Sequence, residues 1–150
     1  MWLQIIKKYT PHVPQFFFIL GLLIPYQSTS AAQLDFSQPL EGLIGQAERG
    51  RNLVSNKQKS MCLLCHQGPF PEDHFQGNLA PDLSHIALRL NPAQLRARIV
   101  DSSQFNSQTI MPSYYKTEGL NRVQQNFKGQ TILTAQEIED VIAFLVTLKP

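Results

Sequence analysis

The sequence predicts one small all-α domain in which short helices are joined by long loops. Three observations point to it. Apolar residues recur at helical spacing at Leu43, Ile44, Ala47, Gly50 and Val54, and again at Ile138, Val141, Ile142, Leu145 and Leu148. Helix-start signatures stand at Asn91-Pro92-Ala93-Gln94 and at Thr134-Ala135-Gln136-Glu137. The stretches between, 67–78 and 102–130, have no such period, and the first is dense in Gly, Pro, Asn and Asp. A chain of 150 residues has room for one such domain and a leader.

The leader is expected over residues 1–32. Lys7 and Lys8 precede an apolar run from Phe16 to Ile24, and Ser28-Thr29-Ser30-Ala31-Ala32 follows, the order of a secretory signal peptide cleaved after Ala32. The run is well short of the roughly 20 apolar residues that span a bilayer, so no membrane attachment is expected after cleavage. Two of the 13 basic side chains and none of the 11 acidic ones leave with the leader, so the mature chain has 11 of each. Formal neutrality gives no argument for a nucleic-acid partner.

Residues 33–42 are polar, contain Pro39 and read as a tether to the domain at 43–150. The first helix is expected at about 43–57. Gly50 inside it costs about 1 kcal/mol relative to alanine, which points to another backbone passing close by.

The chemistry lies in Cys62-Leu63-Leu64-Cys65-His66. Two cysteines three positions apart with histidine next is the spacing for covalent attachment of haem c. Thioether bonds to its two vinyl groups leave the following side chain under the iron. A redox dithiol would need a strand and an αβ crossover around the pair, and a structural zinc site would need further ligands. These are the only two cysteines, so attachment of one haem leaves no thiol for nucleophilic chemistry on this chain.

After His66 the 67–78 loop is expected to wrap the proximal side of the haem. The rigid carbonyl of Pro81 is placed to accept from the free ring nitrogen of His66 and fix its tautomer. Asn91 caps the next helix, in which Leu95, Ile99 and Val100 are apolar; Arg96 and Arg98 are expected in solvent, with a propionate or partner contact as the other reading. A loop as long as 102–130 needs a functional reason, and supplying the second axial ligand would be one.

Several side chains compete for that sixth position. Met61 abuts the attachment cysteine, on the wrong side of the porphyrin plane. Met1 and His12 leave with the leader, and His74 is only eight residues past His66. His85 is a serious rival. Met111, 45 residues after His66 and stiffened by Pro112, suits a distal strap and is preferred as the metal ligand beside His66. Histidine-methionine ligation favours ferrous iron and electron transfer over oxygen binding. Tyr114 and Tyr115 are candidates for the haem pocket, as packing or as a hydrogen bond near the distal ligand.

Taken together, Gly50, the Cys62 to His66 motif, Met111 and Val141-Ile142-Ala143-Phe144-Leu145 resemble class I c-type cytochromes. More narrowly, Gly68-Pro69-Phe70-Pro71, Gly77-Asn78-Leu79-Ala80-Pro81-Asp82-Leu83 and Ile110-Met111-Pro112-Ser113-Tyr114-Tyr115 resemble the SoxX family, monohaem subunits of thiosulfate-oxidising SoxAX complexes. In class I cytochromes c a glycine and an aromatic, here Gly50 and Phe144, pack where the terminal helices cross. Ala80-Pro81-Asp82-Leu83 stands where those cytochromes have Gly-Pro-x-Leu. The SoxX resemblance implies a periplasmic heterodimer with a SoxA-like cytochrome, which carries the thiol chemistry of an L-cysteine S-thiosulfotransferase. It also implies a SoxYZ-like carrier as substrate and an acceptor such as a small cytochrome. This chain would then be the non-catalytic electron-transfer subunit; a free-standing class I shuttle is the alternative.

Overall fold

The computed structural model describes residues 35–150; the expected signal peptide lies outside them. Four α-helices carry the fold: α1 Ala47–Ser55, α2 Cys62–Cys65, α3 Pro92–Asp101 and α4 Ala135–Leu145. Short 3-10 turns stand at Leu40–Gly42, Ile86–Leu88, Ser102–Gln104 and Gln125–Phe127, and the described residues include no strand.

Both expected capping boxes are present. Asn91 Oδ1 accepts from Gln94 N at 2.9 Å while Gln94 Oε1 accepts from Asn91 N at 3.0 Å. At α4, Glu137 N donates to Thr134 Oγ1 at 3.2 Å and Thr134 N to Glu137 Oε2 at 2.8 Å. Together the pairs satisfy donors that a helix start otherwise leaves orphaned. α4 stops at Leu145, and Leu148 beyond it still turns inward.

The scaffold is the crossing of α1 and α4, which Gly50 makes close. A Cβ built on it would lie 1.9 Å from the Asp140 carbonyl oxygen and 2.9 Å from Phe144 Cβ, so the helices touch backbone to backbone. Arg49 spans the same crossing with two hydrogen bonds to Asp140, at 2.7 and 2.8 Å. Burial works against the charge of Asp140, but Arg49 and the Gln46 N–H hold its pKa below the ordinary carboxylate range. α1 starts later than its apolar spacing suggests. Ahead of it α4 takes up backbone groups that a longer helix would use, with Gln46 N donating to Asp140 Oδ1 at 2.8 Å and Ile44 O accepting from Gln136 Nε2 at 3.0 Å, and Ile44 is left 85% exposed.

Two expectations fail together at the next layer. The segment read as a tether is docked from Phe36 onward, with Leu40 buried, and Arg96, expected in solvent, is only 3% exposed. Arg96 donates to both oxygens of Glu139, at 2.7 and 2.8 Å, and to the Phe36 carbonyl at 2.6 Å, while Leu40 N donates to Glu139 Oε1 at 2.9 Å. One buried ion pair between α3 and α4 thus fastens the chain that leads into α1. Every polar atom in it is satisfied, the condition under which such a pair is tolerated.

Candidate functional site

α2 is a single turn, entered through Met61 in the left-handed region at φ 61°. Its spacing puts Cys62 and Cys65 on one side, both lining the same cavity, while Leu63 is fully buried in the core and the half-exposed Leu64 stands at the cavity's edge. No disulfide joins the two thiols, and burial pushes the Cys62 thiol pKa up. His66 follows with extended backbone and lines the cavity as well. Its Nδ1 lies 2.7 Å from the Pro81 carbonyl oxygen, which makes Nδ1 the protonated nitrogen and leaves the Nε2 lone pair for a metal.

Pro81 is placed by main-chain bonds from the segment opposite α2. Gly77 N donates to Leu63 O at 2.8 Å, Ala80 N to Cys65 O at 3.0 Å and Leu83 N to Gln67 O at 2.9 Å. The turn-rich loop between is organised by a residue that gave no signal in the sequence. Gln76 accepts from Gly68 N at 2.7 Å and donates to the carbonyls of Phe70 and Asp73 at 2.8 and 3.0 Å.

The cavity measures about 220 Å3, far beyond the roughly 15 Å3 that admits one water. Val54, Leu83, Ile99, Leu133, Val141 and Leu145 form apolar walls, and Met111 joins Cys62, Cys65 and His66 in its lining. Met61, expected on the wrong side, lines it too. His74 and His85 are exposed and line neither this cavity nor the one beside it. That neighbouring cavity shares His66, Leu83 and Met111 and adds Arg89 and Arg98, which form no ion pair among the described residues.

The two tyrosines part company. Tyr114 is 4% exposed, lines the cavity and donates its hydroxyl to the Ser60 carbonyl. Burial, reinforced by Cys62, holds its pKa well above the usual phenol value. Tyr115, expected in the pocket, does not line it. Its hydroxyl turns outward to Glu41 Oε1 at 2.9 Å, because the backbone bonds that seat the pair on α3, Tyr114 N to Ile99 O and Tyr115 N to Val100 O, leave only one ring facing inward.

These residues fit a covalently held haem: two thiols beside a histidine of fixed tautomer, a large apolar enclosure, and two uncompensated guanidinium groups suited to its acidic end. Once bound, the haem supplies reversible one-electron exchange at its iron. The chain's own part is to attach, orient and shield it. Among the described residues no three His, Cys, Asp or Glu side chains gather as a separate metal site.

The cytochrome c family profile matches residues 47–149. A search of curated proteins found no match. Among solved structures, SoxXA from P. pantotrophus superposes with a TM-score of 0.68 at 37% identity, over 75% of this chain and 88% of that one. An all-α chain matched on both counts, with its paired cysteines opening onto an apolar cavity, belongs to the cytochrome c family: it is a SoxX-like class I electron-transfer cytochrome with one covalently bound haem c.

Proposed function

We propose that this chain is the periplasmic electron-transfer subunit of a SoxAX-like L-cysteine S-thiosulfotransferase. Cys62 and Cys65 hold the haem through thioethers, and His66 and Met111 are its axial ligands. A SoxA-like partner performs the thiol chemistry that oxidatively couples thiosulfate to a cysteine of a SoxYZ-like carrier. This chain takes electrons from the partner's haem and passes them to an acceptor such as a small cytochrome. The observation that carries the reading is the convergence of His66 and Met111 on one cavity with both cysteines of the chain. With both axial positions filled and both thiols consumed, electron transfer is the chemistry left to it.

An apolar rim supports docking of a partner. Leu64 is 50% exposed and Ile110 77%, both lining the cavity, and Leu79, next in sequence to the cavity-lining Ala80, is 73% exposed. Size-exclusion of the protein from its natural host, with haem staining of co-eluting chains, tests the assembly. A second haem-bearing chain of different mass is expected; a lone 17.0 kDa species or its processed form would favour the free-standing shuttle. Carbon monoxide added to the reduced protein should leave its spectrum unchanged, and rapid binding would instead mark a ligand-binding haem domain.

A further inference from the structure

We propose that Asp101 is a positioning residue that holds the Met111-bearing arch in its ligating geometry, an inference that rests on Met111 being the sixth ligand. Asp101 ends α3 and is 8% exposed. Its Oδ1 accepts from Ser103 N at 3.1 Å, from the Ser103 hydroxyl and from Ser113 Oγ at 2.6 Å, while Lys116 Nζ donates to Oδ2 at 3.3 Å. Ser103 and Ser113 are the two feet of the arch that carries Met111. A single carboxylate therefore closes a loop of about ten residues.

Main-chain bonds from Tyr114 N to Ile99 O and Tyr115 N to Val100 O seat the segment after the far foot on α3, and within the arch itself little else holds. Phe105 is 56% exposed and Ile110 77%, so apolar burial contributes little there. Ser102 Oγ, at the end of α3, reaches Met111 O at 3.3 Å, and Met111 N donates to Thr109 Oγ1 at 3.2 Å, neutral contacts at the long end of the hydrogen-bond range beside the charged carboxylate. A carboxylate accepts all four donors at once. An asparagine of the same size turns a neutral and weaker acceptor to the three donors that share Oδ1, and its NH2 to the Lys116 ammonium that was donating to Oδ2. Groups that orient a ligand without touching the metal typically change its binding tenfold or more when removed.

The test is titration of the ferric haem protein with imidazole, which competes for the sixth position, in the full chain and its Asp101→Asn variant well below the thermal transition. Imidazole is expected to bind about tenfold more tightly to the variant, with a weaker thioether-to-iron charge-transfer band. Asp101→Asn with wild-type affinity would overturn the proposal, since a merely structural carboxylate would lower the melting temperature without changing ligand exchange. If that variant does not fold, Ser113→Ala removes one foot and should tighten imidazole about threefold; wild-type affinity there is equally fatal. A wild-type protein without the thioether band would refute Met111 as ligand, a failure separate from that of the clamp.

Discussion

The two sides of the cavity are built by different means. On the α2 side, main-chain bonds from Gly77, Ala80 and Leu83 tie the following segment to the motif, and Leu63 and Phe70 are fully buried beneath it. Across residues 102–130, main-chain bonds and burial seat Tyr114, but the arch before it is tied largely by side chains and the Gln125–Phe127 turn buries nothing. The α2 side therefore tolerates most side-chain changes that preserve backbone and volume. The arch before Tyr114 depends on a few polar groups, with little buried apolar surface to offset their loss.

Removing the attachment points should have the largest effect. Replacing Cys62 and Cys65 together with alanine is expected to abolish covalent haem, read as loss of haem staining after denaturing electrophoresis. Next comes the shared scaffold. Arg96→Met strands the Glu139 carboxylate, 4% exposed, and should cost about 4 kcal/mol in denaturant unfolding, much of it recovered when Glu139→Leu is added. Gly50→Ala should cost about 3 kcal/mol, because the added Cβ meets backbone that no side-chain rotation can move.

The 102–130 side has an acid signature. Burial opposes the charge of Asp101, but its bonds from Ser103, Ser113 and Lys116 prevail and lower its pKa from 3.8 to about 2. A depressed folded-state value means stability present above pH 3.8 and lost as pH falls toward about 2, amounting to about 2 kcal/mol. Asp101→Asn should flatten that part of the acid unfolding curve. The smallest effect belongs to Pro81→Ala, which keeps the carbonyl that faces His66: under about 1 kcal/mol, with an unchanged visible spectrum.

Local signals explain what was readable in the sequence. Both capping boxes, the attachment motif and the crossing at Gly50 are each written within a few residues, and so is the proline that faces His66. What escaped depends on distant partners. Arg96 reads as a surface charge until Glu139, 43 residues on, comes into view, and the docking of Phe36 to Leu40 follows from that pair. The late start of α1 is set by α4 in the same way. Tyr114 and Tyr115 are equivalent as letters, and only the seating of the segment on α3 separates them. Gln76 gave no signal, since it acts on main-chain atoms specified by the folded loop, and neither did Ser60, which meets Tyr114 through its own main-chain carbonyl.

Whether this chain closes the iron on both sides is read from the ferric near-infrared spectrum of the wild type beside Met111→Ala. A thioether-to-iron band present in the wild type and absent from the variant, which should then bind carbon monoxide when reduced, is the expected result. An unchanged spectrum in Met111→Ala would contradict it.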